Sequence, residues 1–387
     1  MSTTAPTAAP APVARVFSSD NAAGASPEII EAVARAASGQ AMPYGADEST
    51  AAVRRRLSDL FEREVDVLPV STGSAANALS LAALTPPWGS VLCHRDSHIN
   101  NDECGAPEFY TAGAKLVPLG GDDAKIDPGE LRAAARHKAG DVHSVEPSVV
   151  SVTQAAETGA VYTLDEVRTL GSIAGEAGLR LHMDGARFAG AVASLGCTPA
   201  ELTWRAGVDL LSFGATKNGT MTADAIVVFD RSLTAELSFR AKRAGQLASK
   251  MRFHAAQLDA YLTDDLWLRN AAHAGAMAVR LQQGLKAIPE VGLLGTADAN
   301  IVFCRLARQV TEGLLADGYA FYHDRWEPGV VRFVTSFATM PEDVDDLLRA
   351  VGRHVVRPAE VAGRRHREPG SRAPEPRDSI RCSIYGG

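Results

Sequence analysis

Residues 65–77, VDVLPVSTGSAAN, decide the fold of this chain. The apolar, β-branched run 65–70 is typical of a strand, and the alanines that follow favour a helix from about residue 74. Hydroxyls and backbone N–H groups between the two elements lie at a helix N-terminus, which suits a phosphate. An ordinary Ser/Thr N-cap explains the segment equally well by itself. The predicted phosphate-binding residues are Ser71, Thr72, Gly73 and Ser74.

Short apolar runs alternate with amphipathic stretches on both sides of this segment, which predicts an α/β domain with a largely parallel sheet. The other strand-like runs of this domain are 90–93, 115–119, 148–153, 179–184, 209–214 and 225–230. From about residue 238 to 283 the pattern is helical, and strand-like runs 300–306 and 330–337 with a helix at 340–355 predict a smaller α+β domain. The predicted bounds are 16–265 for the large domain, 266–357 for the small domain, and 1–15 and 358–387 for two disordered tails.

Composition restricts the function. The net charge of −7 over 387 residues argues against a nucleic-acid partner, which normally requires a basic surface. The five cysteines form no C-x-x-C pair, so neither a disulfide framework nor a metal knuckle is expected. No run reaches the roughly 18 apolar residues of a membrane span, and no signal peptide is apparent. We therefore expect a soluble, cytoplasmic protein without a membrane or metal partner.

Two further segments carry chemistry. Asp184 closes the run LRLHMD at the carboxyl end of a predicted strand, where open α/β sheets place ligand contacts. A carboxylate there can pair with a protonated ring nitrogen. Lys217 follows the next strand among small residues, where desolvation favours a neutral, nucleophilic amine. Each segment alone is commonly a turn or a surface charge, but their order after the phosphate loop is informative.

In that order and context, the three segments resemble fold-type-I pyridoxal-5′-phosphate (PLP) enzymes and, more narrowly, the L-threonine aldolase/β-eliminating lyase family. The resemblance covers about residues 16–355. It also includes FSSDNAAG at 17–24, MPYGAD at 42–47, SHINNDECGAPEFYTAG at 97–113 and VVRFVTS at 330–336. It implies the cofactor PLP and a carbon–carbon lyase that cleaves an L-β-hydroxy-α-amino acid, such as threonine, allo-threonine or phenylserine, to glycine and an aldehyde.

The resemblance also implies roles for individual residues. Lys217 carries the cofactor as a Schiff base, Asp184 pairs with the pyridine nitrogen, and His98 stacks on the ring. Arg187 contacts cofactor and substrate and, with Arg332 from the small domain, binds the substrate carboxylate.

Other implied contacts depend on assembly. The family's active site lies at a dimer interface, so we expect a homodimer or homotetramer. A neighbouring subunit would lend the phosphate three basic side chains, Lys242, Arg243 and Arg252. Ser19 and Tyr44 are expected on the substrate side.

The chain departs from the family beside the substrate. Residues 18–20 read Ser-Ser-Asp where typical members have Arg-Ser-Asp, and Glu157 stands where they carry a histidine that contacts the substrate hydroxyl. A carboxylate of raised pKa can accept that proton, so the base is either Glu157 or His98 through a water. Ala155 and Ala156 replace larger polar residues and favour bulkier, β-aryl substrates.

Alternative interpretations remain open at this point. His94 and His98, with Asp96 or Glu103, have a spacing that a metal site can use, and Arg332 could face outward on its strand. The same fold supports β-elimination, transamination and transaldolation, or a non-catalytic binding protein.

Overall fold

The larger sheet has seven strands in the order β1-β7-β6-β5-β4-β2-β3. The computed structural model describes residues 15–355, so the predicted tails lie outside the described residues except for Arg15. The strands of this sheet are β1 Asp66–Val70, β2 Gly89–His94, β3 Lys115–Leu119, β4 Glu146–Thr153, β5 Arg180–Gly185, β6 Leu210–Phe213 and β7 Asp224–Val228.

Strand β7 is the exception to a parallel sheet. It pairs antiparallel with both β1 and β6, whereas the β2–β3, β2–β4, β4–β5 and β5–β6 pairs are parallel. Residues 214–223 connect β6 to β7 and are too few for a crossover helix, so the chain turns directly back. The prediction of a largely parallel α/β sheet is confirmed.

Helices cover both faces of this sheet. Val150 and Val152 pack on one side, and their neighbour Val149 packs on the other, as expected for strands buried on both faces. The α-helices within residues 15–355 are α1 Pro27–Ala36, α2 Glu48–Leu60, α3 Gly73–Leu84, α4 His98–Asn101, α5 Ala106–Tyr110, α6 Pro128–Ala134, α7 Leu164–Glu176, α8 Phe188–Leu195, α9 Pro199–Leu202, α10 Thr234–Arg243, α11 Arg252–Leu262, α12 Leu266–Lys286, α13 Arg308–Ala316 and α14 Pro341–Val355.

The smaller sheet has four antiparallel strands in the order β10-β11-β9-β8, with α13 and α14 beside it. Phe17 of the N-terminal segment packs in its core, and the backbone N–H of Phe17 donates to Ala320. These strands are β8 Gly292–Leu294, β9 Ile301–Arg305, β10 Tyr322–His323 and β11 Val330–Val334.

Helix α12 connects the two sheets. Its first half, with Trp267 and Ala271, packs in the core of the larger sheet, and its second half, with Leu281 and Leu285, packs in the core of the smaller one. The domain boundary that we predict at 265/266 stays a prediction. Within residues 15–355, no helix has the length and apolar character of a membrane span.

Candidate active site

A cavity of about 580 Å³ lies at the carboxyl ends of β4, β5 and β6, beside the N-terminus of α3. It brings together residues that are far apart in the chain. Of the residues predicted from sequence, it is lined by Ser71, Thr72, Gly73, Ser74, His98, Glu157, Asp184, Arg187, Lys217 and Arg332.

The N-terminus of α3 forms one end of the cavity. Thr72 is its N-cap and accepts from the backbone N–H of Ala75 at 3.1 Å, so the N-cap interpretation is also correct. A Cβ added at Gly73 would have no neighbour within 4 Å, which leaves this helix end open to an anion.

Two residues that no sequence pattern singles out hold the loop before α3. Gln246 accepts from the backbone N–H of Ser71 at 3.0 Å, and His254 Nε2 lies 3.1 Å from the Ser71 hydroxyl. Burial lowers the pKa of His254. Both lie more than 170 positions from Ser71, so no local pattern could have revealed them.

Asp184 belongs to a buried network at the centre of the site. Its side chain accepts from the backbone N–H of Ala186 at 3.0 Å and from the amide of Asn77 at 2.9 Å. The same amide donates to Glu103 at 2.8 Å, and Glu103 binds His98 Nδ1 at 2.8 Å. Burial lowers the pKa of His98, but the Glu103 and Asp184 carboxylates more than offset it, so the net shift is upward. The network orients the His98 ring.

Lys217 lies in the 214–223 connection, in a single 3₁₀ turn, Thr216–Asn218. Asp224 holds the start of this turn by accepting from the backbone N–H groups of Ala215 at 2.7 Å and Thr216 at 3.0 Å. At Gly214, a Cβ would lie 2.6 Å from a backbone oxygen of Ala186. Only glycine allows this close approach, which brings the lysine turn against the segment that follows Asp184.

Glu157 follows β4 and lies beside His98. Its Oε1 accepts from the backbone N–H of His98 at 2.8 Å, whereas its Oε2 is shielded from solvent and has no partner within residues 15–355. Burial, with a smaller contribution from the nearby Asp184 carboxylate, raises the pKa of Glu157 to about 7. Near neutral pH this side chain can therefore both accept and release a proton.

The arginine region differs from the prediction in one respect. Arg187 forms a bidentate ion pair with Asp20, at 2.8 Å from Nε and 3.0 Å from Nη2. Arg332 lines the cavity, so the interpretation that it faces outward is wrong. Its Nη2 donates to the Ser18 carbonyl at 3.2 Å, and its guanidinium lies over Tyr322 and Trp326, at 4.8 and 5.4 Å from the ring centroids. Burial, and then the charge of Arg187, lower the pKa of Arg332 to about 10.

Several predicted residues do not line this cavity in their own chain. The Ser19 hydroxyl accepts from the backbone N–H of Asn21 at 3.2 Å. The Lys242 ammonium lies over the Tyr44 ring, 4.6 Å from its centroid, and Arg252 donates to the Gly39 carbonyl at 3.1 Å. These residues and the exposed Arg243 keep their roles as predictions.

The metal interpretation has no support in the geometry. His94 uses both ring nitrogens: Nδ1 accepts from the backbone N–H of Asp96 at 3.1 Å, and Nε2 lies 3.2 Å from the Gly121 carbonyl. Across residues 15–355, no three His, Cys, Asp or Glu side chains are grouped as a metal site would require.

The residues of the cavity fit PLP. Polar atoms buried without partners are rare in folded proteins and require an explanation, of which a bound ligand is one; among the residues that line this cavity, the atoms without a partner within residues 15–355 include His98 Nε2, Glu157 Oε2, Thr216 Oγ1 and Arg332 Nε. PLP has three parts that a protein must hold. Its phosphate requires an anion site such as a helix N-terminus, its pyridine nitrogen requires a buried carboxylate, and its aldehyde requires a lysine. Thr72–Ser74, Asp184 and Lys217 would hold these three parts.

The fold and this site define a fold-type-I PLP-dependent enzyme. The chain belongs to the β-eliminating lyase family, whose model matches residues 17–309. It is 44% identical over 335 residues to a low specificity L-threonine aldolase of Pseudomonas aeruginosa, covering 87% of this chain and 96% of the relative. It is 43% identical over 338 residues to a low specificity L-threonine aldolase of a Pseudomonas species, covering 87% of this chain and 97% of the relative.

A solved structure extends the comparison. Leishmania major threonine aldolase superposes with a TM-score of 0.82 at 28% identity, covering 88% of this chain and 99% of that one. The protein is therefore a PLP-dependent lyase, and the predictions of family, fold class and cofactor are confirmed.

Proposed function

We propose that the protein cleaves the Cα–Cβ bond of L-β-hydroxy-α-amino acids and releases glycine and an aldehyde. The observation that carries the proposal is the position of Glu157, a carboxyl group with a pKa of about 7 that lines the same cavity as Lys217 and Asp184. Aldol cleavage needs a base for the β-hydroxyl proton in the cavity that holds the cofactor. The names of the Pseudomonas relatives, which this chain matches over nearly their whole length, agree with the activity.

The cofactor supplies the electron sink. Bound PLP stabilises the negative charge that develops on Cα when the bond breaks. Lys217 contributes the amine that attaches the cofactor, and Asp184 keeps the ring nitrogen protonated. Asn77 and the backbone of Ala186 hold the Asp184 carboxylate in one orientation.

Glu157 is the proposed base. Its Oε1 is fixed by the backbone N–H of His98, and its partnerless Oε2 is the atom that accepts the β-hydroxyl proton. His98, oriented by Glu103 through Nδ1, lines the same cavity, and its Nε2 is buried without a partner within residues 15–355. A variant of Glu157 distinguishes this route from the competing one, in which His98 accepts the proton through a water.

The substrate carboxylate binds to Arg187 and Arg332. Fixing this group sets which bond at Cα is aligned for cleavage. The rest of the cavity favours a bulky β-substituent, because Ala155 is small and Phe303 and Trp326 form an aromatic wall with ring centroids 4.8 Å apart. Ala156 contributes nothing to this preference, since it does not line the cavity.

Product analysis tests the activity. The purified holoenzyme is given L-threonine, L-allo-threonine or L-phenylserine, and glycine, aldehyde, ammonia and keto acid are measured. Glycine and aldehyde in equal amounts, with phenylserine cleaved at least as well as threonine, are expected. Ammonia with a keto acid would replace the proposal with β-elimination, and a keto acid balanced by a new amino acid would replace it with transamination.

We also propose a homodimer or homotetramer in the cytoplasm. Lys242, Arg243 and Arg252 are basic side chains outside their own cavity, where a neighbouring subunit's phosphate site would use them. The cysteines of residues 15–355 are free thiols, in keeping with a reducing compartment. Mixing inactive Lys217→Ala and Arg243→Ala subunits tests the shared site, because activity should return only if one hybrid site contains both intact residues.

A further inference from the structure

Asp20 is a buried carboxylate to which the sequence assigned no role. It begins a single 3₁₀ turn, Asp20–Ala22, in the N-terminal segment and is 2% exposed. It accepts from Nε and Nη2 of Arg187 at 2.8 and 3.0 Å, and from the Asn300 amide at 3.0 Å. Two parallel N–H···O bonds fix the plane of a guanidinium. Asp20 therefore determines how Arg187 enters the site.

The ion pair leaves one edge of Arg187 available. Nε and Nη2 are occupied, whereas Nη1 has no hydrogen-bond partner within residues 15–355. Arg187 lines both the cofactor cavity and a second cavity of about 350 Å³, whereas Asp20 lines only the second one. Asp20 thus holds Arg187 from the second cavity and is not part of the lining of the cofactor cavity.

The same N-terminal segment reaches the second arginine. Arg332 Nη2 donates to the carbonyl of Ser18, two residues before Asp20, and Arg332 Nε is buried without a partner in the described part of the chain. Asn300 also donates to the Thr335 carbonyl at 2.6 Å, next to β11, which carries Arg332. Asp20 and Ser18 together place both guanidinium groups relative to each other.

Charge supports this arrangement. Burial raises the pKa of Asp20, but Arg187 and Lys217 outweigh burial and hold that pKa below its usual range. Two arginines and one aspartate leave one net positive charge, which matches the single negative charge of an amino-acid carboxylate. Without Asp20, the two guanidinium groups would repel each other in a site with little solvent to screen them.

We propose that Asp20 is a positioning residue, which fixes Arg187 so that Nη1, together with Arg332, binds the substrate carboxylate. The inference rests on the proposed aldol cleavage for the identity of the substrate. Binding of the carboxylate itself can be measured separately, because glycine, the expected product, presents the same group.

The test is Asp20→Asn, which keeps the shape of the side chain and removes its charge. KM for L-threonine and the calorimetric dissociation constant of glycine should both rise about 10- to 100-fold, as expected for the loss of charge-assisted hydrogen bonds, while kcat changes less than about threefold. Asp298→Asn is the matched control. Asp298 lines the same second cavity but binds the backbone N–H of Val161, at 3.2 Å, so both constants should stay unchanged.

Chemical rescue separates positioning from a structural role. In Asp20→Ala, added formate can occupy the place of the lost carboxylate beside Arg187 Nε and Nη2 and should lower KM, whereas formate should only inhibit the wild type. If Asp20→Asn does not fold, Asn300→Ala removes one bond to Asp20 and should raise KM in the same direction by a smaller factor.

Values of KM and of the glycine dissociation constant within about twofold of wild type in Asp20→Asn would overturn the inference. A fall in kcat alone, accompanied by a lower melting temperature and no rescue by formate, would also overturn it. If the wild type releases no glycine from any β-hydroxy amino acid, the proposed function fails, and glycine binding to Asp20→Asn still decides the role of Asp20.

Discussion

The carboxylate of Asp184 accepts a hydrogen bond from the side-chain amide of Asn77 at 2.9 Å, although 107 positions separate the two residues. Asn77 lies in α3, whose N-terminus forms the phosphate end of the cavity, and Asp184 lies at the end of β5. The bond therefore fixes the distance between the two ends of the cofactor site. Asn77 is itself 2% exposed, so water does not readily replace it.

Asn77→Ala should weaken both cofactor binding and turnover. It leaves Asp184 and Glu103 each short of a buried hydrogen bond, which costs about 1–3 kcal/mol. We expect kcat to fall about 10- to 100-fold and the apparent PLP dissociation constant to rise. Titration of the apoenzyme with PLP measures the second effect. An unchanged PLP affinity together with wild-type kcat would contradict this role.

Glu157→Gln tests the base. We expect kcat to fall about 100-fold or more with cofactor loading unchanged, because the amide cannot accept the β-hydroxyl proton. The wild-type rate should also depend on pH. Below the pKa of about 7 the Glu157 carboxyl is protonated, so kcat should fall about tenfold per pH unit, and above this pKa it should level off.

Glu108→Gln is the matched control for Glu157→Gln. Glu108 also has a carboxyl oxygen buried without a partner in the described part of the chain, but it does not line the cavity. Its variant should keep the wild-type pH profile. Near-normal turnover of Glu157→Gln would assign the base to His98 and a water instead.

Lys217→Ala should abolish both the visible absorption of the attached cofactor and turnover. Lys217 lines the cavity with Asp184, and no other lysine does so within the described residues. Lys286→Ala, at the exposed end of α12, is the control and should match wild type in both measurements. A persistent visible band with normal turnover in Lys217→Ala would place the attachment elsewhere.

The sequence predicted the parts of the site that have a local signature. Asp184 lies at the end of one buried strand, Lys217 follows the next strand, and Thr72–Ser74 follow another. This repeated strand–turn pattern was enough to place all three at one edge of the sheet. The strand β5, Arg180–Gly185, lies within one residue of the predicted run 179–184. Local hydrophobic pattern controls such elements.

The remaining contacts have no local signature. Asp20 lies 167 positions from Arg187 and 280 from Asn300, and His254 lies 183 from Ser71. Each of these pairs forms only because the two sheets and α11 meet around the cavity, and a single polar residue in a loop carries no sign of its partner. The antiparallel direction of β7 could have been predicted from the sequence, because the connection 214–223 is too short for a parallel crossover.

A last prediction concerns stability below neutral pH. His182 is fully buried between Ser151 and Ser212, whose hydroxyls lie 2.9 and 3.0 Å from its ring nitrogens. Burial lowers the pKa of His182 to about 4, against 6.5 for an unperturbed histidine, and Asp184 opposes the shift only in part. Between these two values the unfolded chain binds a proton at this histidine that the folded chain does not, so His182 lowers the free energy of unfolding by about 3 kcal/mol in total as the pH falls. Glu157, with its pKa raised to about 7, contributes in the opposite direction, so the contribution of His182 is the difference between wild type and His182→Gln. Urea unfolding over this pH range measures the slope of the free energy of unfolding against pH.

His182→Gln should reduce this slope, whereas His143→Gln, at an exposed position, should leave it unchanged. Equal slopes in wild type and His182→Gln would show that His182 is not the group responsible.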